Sequence, residues 1–321
     1  GSPLWLQGYR PNEQTFDEMW QREGQIRAHW QPLMQMFAGL GAPGMDGVQQ
    51  ARFNTAMCIR TGRVHSTNVH SGTEALILAL RALKNRSTVD IPRVLIPTVS
   101  FVATVNAVYE AGCSPVFCDV DTNGLMDLDQ VKNLDSIDII MFVNLYGNVI
   151  DYHKLKLITD FFSPGHEVKI IEDAAQSFGA SFQGTPSGKL GDVSVLSFDP
   201  TKNLNASGNG GAIVTNDEHL YLYAARYKDN NKPDFYAAGT NSKMSEQDCA
   251  QILVRAKYID EWQNRRSKIA KFWCEELIDY PLRCLSDTTD SHAHQKFVIY
   301  TDDRNSLHTE LMVSGIQSKI H

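Results

Sequence analysis

The sequence predicts an α/β protein: a mostly parallel sheet covered by helices on both faces. Three observations carry this. Short apolar, β-branched runs recur from about residue 64 onward, at 93–97, 115–120, 137–143, 168–172, 193–198 and 211–215. These runs are apolar nearly throughout rather than alternating, which is what strands buried on both faces require. Helix-length stretches separate them, and parallel neighbours need such crossovers. Ligands in folds of this kind sit at the carboxyl ends of the strands, so the residues just after each run are where chemistry is sought.

Taken in order, residues 13–37 read as one amphipathic helix. Asn12 or Thr15 can cap it, and Phe16, Met19, Trp20, Trp30, Leu33, Met34 and Phe37 recur near helical period. Gly39, Gly41, Pro43, Gly44 and Gly47 form a flexible connection. The strand-and-helix alternation follows. The polar stretch 228–244 reads as a loop leaving the large domain, and one long helix is expected from about Ser245 to just before Pro281. A strand over 295–300 and a helix over 303–313 close the chain. The expected division is an N-terminal helical segment (1–45), a large domain (46–235) and a small domain (236–321) of mixed helix and strand.

Composition narrows the function classes. Lys and Arg number 30 against 37 Asp and Glu, a net charge of −7, so the chain has no general attraction to nucleic acid or anionic membrane. No apolar run approaches the length of a membrane-spanning helix. The six cysteines include no Cys-x-x-Cys pair, and Cys113 and Cys118 read as buried thiols. A metal is not expected, and the compartment expected is the cytoplasm. His292 and His294 read as alternating surface positions at the start of a strand.

Four patches stand at strand ends or helix starts. Ser71-Gly72-Thr73 opens a helix, where a small-residue turn exposes N–H groups and a hydroxyl to an anion such as phosphate; an ordinary Ser N-cap is the other reading. Glu172-Asp173-Ala174-Ala175-Gln176 follows the run Val168 to Ile171, and a carboxylate there needs a cationic partner or serves as a helix cap. Ser197-Phe198-Asp199-Pro200-Thr201-Lys202 follows 193–198; Lys202 can condense with an aldehyde if its surroundings lower its pKa, or it is a solvated loop Lys. Phe101, in Pro97-Thr98-Val99-Ser100-Phe101, can stack on a flat ring or belong to the core.

The order and spacing of these patches resemble the DegT/DnrJ sugar aminotransferases, pyridoxal-phosphate enzymes of fold type I. The resemblance covers roughly residues 50–321. It adds Gly112, Pro115, Val116, Phe117, Asp119 and Val120, then the Leu145-Tyr146-Gly147 turn, Gly188 to Asp192, and the strand from Gly210 to Asp217. It implies a mostly parallel seven-stranded sheet between helices and a smaller C-terminal α+β domain. It also implies an amino group moved from an amino acid, glutamate being the expected donor, to a keto group of a nucleotide-linked sugar. An alternative is a cofactor-binding family member without transaminase turnover, in a regulatory or other sugar-modifying role.

By that resemblance Lys202 would hold pyridoxal 5'-phosphate and Asp173 would pair with its pyridine nitrogen. Gln176 would bond the ring hydroxyl, Phe101 would stack on the ring, and Gly72, Thr73 and Ser197 would hold the phosphate. Asn241 would reach the phosphate of a partner subunit, so a homodimer with shared active sites is expected. Asn144 stands where the family usually has His, Asn209 where an acidic residue is common, and Ser242-Lys243 replaces an aromatic and an Arg. These positions are expected near the substrate. His321 corresponds to the His of a His-Tyr-Pro-type segment, after which family members continue, so the small domain reads as truncated.

Overall fold

The computed structural model describes residues 47–162, 167–232, 238–285 and 291–321. The helix expected over 13–37 lies outside them. Helix α1 (Val48–Thr61) leads into β1 (His65–Val69), α2 (Gly72–Arg86), β2 (Arg93–Pro97), α3 (Val102–Glu110) and β3 (Ser114–Cys118). Then come β4 (Ile139–Val143), α4 (Tyr152–Phe162), β5 (Lys169–Asp173), the short β6 (Ser181–Phe182) and β7 (Thr185–Pro186), β8 (Val193–Ser197), β9 (Gly211–Thr215) and α5 (Glu218–Tyr227). The chain continues through α6 (Glu246–Arg255), α7 (Ile259–Glu276), β10 (Arg283–Cys284), β11 (Ile299–Tyr300) and α8 (Arg304–Val313).

Seven strands form one sheet in the order β1-β9-β8-β5-β4-β2-β3. All lie parallel to their neighbours except β9, which runs antiparallel to both β1 and β8. The continuous apolar runs are explained by two cores, one on each face. Alternate residues separate between them, as a pleated strand dictates. Ile139 and Met141 of β4 face the core that holds Leu76, Leu80 and Val108, while Ile140 and Phe142 face one with Leu128, Leu134 and Leu155. A third cluster, including Phe53, Met57, Leu196, Phe198 and Ile252, seats α1 and α6 beneath β8 and β9.

Three expectations change. The helix expected from Ser245 to Pro281 is two helices, broken between Arg255 and Ile259. The break is stabilised from outside: the Arg60 guanidinium donates to the Ala256 carbonyl at 3.0 Å and to Asp260 at 2.8 Å, satisfying a carbonyl that helix continuation would have used. The strand expected over 295–300 shrinks to Ile299–Tyr300, because residues 293–296 bond to the Tyr146 turn instead of to a strand. His292 and His294 are buried, not surface positions, with rings 4.4 Å apart and Gln263 Nε2 donating to the His292 carbonyl at 2.6 Å. Cys113 and Cys118 are buried thiols as read. No helix among the described residues is long and apolar enough to cross a membrane.

One buried charge gives the fold a pH signature. Lys228 is 7% exposed and donates to the Asn68 carbonyl at 2.7 Å, and burial pulls its pKa from 10.5 down to about 8. Between those values the unfolded chain holds a proton that the folded chain has released, so stability rises with pH across that window and is flat above it. Relative to Lys228→Met, which removes the titration, wild-type unfolding free energy should climb by about 2–3 kcal/mol over the window. Urea denaturation of both proteins across that range checks the sign.

Candidate active site

The carboxyl ends of β2, β4, β5 and β8 bring most of the singled-out residues together. Asp173 ends β5 and is buried. Its Oδ1 accepts the Ala175 N–H at 3.1 Å and its Oδ2 the Thr104 hydroxyl at 3.4 Å. Burial raises its pKa, opposed by the Ala175 N–H, the Lys202 charge and Thr104. Lys202 lies in the turn after β8. Burial lowers its pKa, and Asp173 and Asp199 pull it back up. The two groups therefore share one field, an amine inclined to lose its charge beside a carboxyl inclined to keep its proton. Burial alone would raise Asp199, but the Thr201 hydroxyl and N–H at 2.6 and 2.9 Å, with the Lys202 charge, hold it below the usual carboxylate range.

Phe101 is the N-cap of α3, and its carbonyl accepts the Thr104 N–H at 3.0 Å, so it shares a turn with the residue touching Asp173. Its side chain is 64% exposed, which settles the choice against core. Gln176 Oε1 accepts the Tyr146 N–H at 2.7 Å. That bond orients the amide and leaves its NH2 group as the donor it can offer. Tyr146 is held at φ 61°, a left-handed conformation uncommon for a bulky residue, at the turn that presents this N–H.

The start of α2 forms a tight cradle. A Cβ placed on Gly72 would lie 2.8 Å from the Ser197 Cβ, and one on Gly211 would lie 2.3 Å from the Ser71 carbonyl. Only glycines allow the strand ends and the helix N-terminus to approach this closely. Ser71 is the N-cap, accepting the Glu74 N–H at 3.1 Å. The first N–H groups of the helix, at Gly72 and Thr73, have no intrahelical acceptor and carry the positive end of the helix dipole. The cradle thus serves both readings of the patch: the Ser71 hydroxyl caps, and the backbone beyond it suits an anion.

Asn241 sits apart, with an exposed side chain, in a bridge to Asp229. Its neighbour Ser242 accepts the His70 N–H through its carbonyl at 3.0 Å and pairs its hydroxyl with His70 Nδ1 at 2.7 Å, next to the cradle.

Three of the four family departures make contacts within the chain. Asn144 is fully buried. Its Nδ2 donates to Glu172 Oε1 at 2.9 Å and its Oδ1 accepts the Ile150 N–H at 3.1 Å. Ser242 is buried against His70, and Lys243 pairs with Asp229 at 2.9 Å; Asn209 alone is open to solvent. The Glu172 side of the site was missed from sequence. Glu172 and Asp173 alternate on β5, so their carboxylates point to opposite faces. Glu172 is completely buried and accepts from the hydroxyls of Ser187 (2.7 Å) and Ser194 (2.6 Å) and from the N–H groups of Gly188 (3.0 Å) and Leu190 (2.9 Å). Burial raises its pKa against these donors, and Arg63, which donates to the Gly188 and Gly191 carbonyls, lies within reach of its charge. The paired acidic residues on an otherwise apolar strand were the available signal, but the donors come from three separate segments.

The strand ends of a sheet covered on both faces thus bring together a buried carboxyl, Asp173, an amine of lowered pKa, Lys202, and the glycine-lined start of α2. Comparison with known proteins gives the family. Residues 39–321 match the DegT/DnrJ/EryC1/StrS aminotransferase family, and the chain belongs to it. It is 29% identical over 314 residues to the UDP-N-acetyl-3-dehydro-α-D-glucosamine 3-aminotransferase of Acidithiobacillus ferrooxidans, covering 92% of this chain and 82% of that protein. It is 34% identical over 272 residues to the dTDP-3-amino-3,6-dideoxy-α-D-galactopyranose transaminase of Aneurinibacillus thermoaerophilus, covering 81% and 72%. A crystal structure of a family aminotransferase from Brucella abortus superposes with a TM-score of 0.80 at 27% identity, covering 92% of this chain and 82% of that one. The chain is an aminotransferase, with the fold and family that its motifs indicate.

Proposed function

We propose that the chain transfers an amino group from an amino acid, glutamate being the expected donor, to a keto group of a nucleotide-linked sugar, using pyridoxal 5'-phosphate. The observation that carries this is the Lys202–Asp173 pair, set beside the glycine cradle of Gly72 and Gly211. The residues fit the cofactor. The N–H groups of Gly72 and Thr73 with the hydroxyls of Thr73 and Ser197 would take its phosphate, Gln176 its ring hydroxyl, Phe101 one ring face and Asp173 its ring nitrogen. When bound, the protonated pyridine ring supplies a sink for the electrons released at the amino-bearing carbon.

The chain's own residues do the rest. Asp173, in a low-dielectric site, stabilises a proton on whatever ring nitrogen faces it, since its negative charge is otherwise costly to bury. Lys202 Nζ is depressed toward the range where an amine both accepts and donates protons, so it takes a proton from the donor carbon and returns one to the acceptor carbon. The sugar class rests on the two named relatives, both transaminases of nucleotide-linked sugars by name. A cytoplasmic location accords with six cysteines that are all unbridged. In this reading residues 236–321 act as a smaller domain closing on residues 46–235.

The test is to add glutamate to cofactor-loaded protein, follow the loss of its aldehyde absorption, and then supply nucleotide-linked keto sugars with product detection by mass. Conversion in both half-reactions is expected. Loaded protein that glutamate leaves unchanged would favour a family member without turnover.

A homodimer with shared sites is part of the proposal, with Asn241 of each chain serving the partner's phosphate. Mixing Asn241→Ala chains with Lys202→Ala chains gives a mixed dimer with one doubly defective site and one intact site. Activity should therefore partly return. No recovery despite proven subunit exchange would mean that Asn241 serves its own chain, close to its own cradle through Ser242 and His70.

A further inference from the structure

The amino ends of β1, β5 and β8, where the proposed reaction places nothing, border a cavity of about 370 Å³. Lys169, which lines it, begins β5 and Asp173 ends that strand, so four steps of ~3.3 Å set the cavity about 13 Å from the active site. Leu83 and Leu220, both buried, supply its apolar lining. Arg63 also lines it and is 8% exposed. The guanidinium is pinned by three bonds: Nε donates to the Gly188 carbonyl at 3.0 Å, and Nη2 to the Gly191 carbonyl at 2.8 Å and the Ser194 hydroxyl at 3.3 Å. Its Nη1 group meets no acceptor among the described residues, yet is not sealed off from solvent. Two more lining residues have one group committed and one left over. Asn216 Oδ1 accepts the Val64 N–H at 3.0 Å, which leaves its NH2 group. Asp192 Oδ2 accepts the Ile170 N–H at 2.7 Å, and its Oδ1 accepts nothing among the described residues. The other charges are already matched, Lys169 by Glu167 at 2.5 Å and Asp217 by Arg86 at 2.5 Å. Arg63 and Asp192 form no ion pair with each other, so one cation and one anion are left open to a ligand.

We propose that this cavity binds an aliphatic α-amino acid, with its carboxylate on Arg63 Nη1 and the Asn216 amide, its ammonium on Asp192 Oδ1 and its side chain against Leu83 and Leu220. A zwitterion matches both open charges at once. A simple anion would leave Asp192 facing it unpaired, and a simple amine would do the same to Arg63. The three bonds that fix the guanidinium hold it ready for the carboxylate, so little ordering is left to binding. A volume of about 370 Å³ lies at the lower end of the ~300–1,000 Å³ range of small-molecule pockets, which suits an amino acid rather than a nucleotide-linked sugar. Lys169 is taken by Glu167, so the acidic side chain of glutamate would find no second open cation. The cavity is therefore not a second site for the expected amino donor, and the inference does not depend on which reaction the active site performs.

Equilibrium dialysis of the full chain against radiolabelled L-leucine measures the site, and one saturable equivalent is expected. Two analogues dissect it without altering the protein: 4-methylpentanoate lacks the ammonium and L-leucinamide lacks the carboxylate. Each should compete about tenfold or more weakly than leucine, as loss of a charged hydrogen bond requires. Asp192→Asn keeps an oxygen for the Ile170 N–H but removes the charge, and should weaken leucine binding by a similar factor. Lys202→Ala, at the other end of the sheet, should bind leucine as the wild type does. No saturable binding at millimolar leucine, competition by either analogue equal to that of leucine, binding that Asp192→Asn leaves unchanged, or binding that Lys202→Ala removes would each overturn the proposal.

Discussion

Lys202→Ala is expected to lower turnover by roughly 10⁴-fold or more, because it removes nucleophile and proton carrier together. The structure separates Lys202 from Lys189 and Lys243. Lys189 reaches over the turn at Gly62, where a Cβ would lie 3.1 Å from its Nζ, and Lys243 is paired with Asp229 at 2.9 Å. Lys202 has its charge opposed by burial and faced by Asp173. Borohydride reduction of cofactor-loaded protein, followed by peptide mapping, should place the pyridoxyl group on Lys202. An adduct on Lys189 or Lys243, or a Lys202→Ala enzyme with appreciable turnover, would refute the assignment.

The second large effect is expected from Asp173→Asn. The side chain keeps its shape, its one oxygen can keep accepting from Ala175, and the Thr104 hydroxyl can turn to accept from the new NH2 group, so the fold and cofactor binding should survive. What disappears is the negative charge. Without it, a proton on the facing ring nitrogen has no ionic partner in a buried site, and the ring becomes a poorer electron sink. The rate of each half-reaction should fall by about 10²- to 10⁴-fold, in line with loss of a positioned charge or acid–base group. Pre-steady-state absorption changes with glutamate measure the rate, and a near-normal value would show that another group holds the ring proton.

The sheet was legible because its cause is local. Runs such as Ile139–Val143 are apolar throughout, and a strand covered on both faces is what such a run suits. The helix starts at Ser71 and Ser245 were legible for a similar reason: each residue caps the helix that follows through its side-chain oxygen. Lys202, Asp173 and the Ser71-Gly72-Thr73 turn could be singled out because a strand end or helix start places them where ligands bind. Long-range relations were not legible. The break before Ile259 depends on Arg60, nearly two hundred residues away in sequence, and no local signal contains it.

Asn144 shows the same limit at the site: its residue type departs from the family pattern, yet the buried Glu172 carboxylate it satisfies decides its role. Residue type and order were sufficient for the fold class, the family and the chemical groups, because strand burial, capping and nucleophile chemistry depend on short-range pattern. Which carboxylate of Glu172 and Asp173 faces the lysine and which amide end Gln176 offers were decided by the tertiary structure. Each depends on contacts between residues that only folding makes neighbours, and on burial that no single segment can create alone.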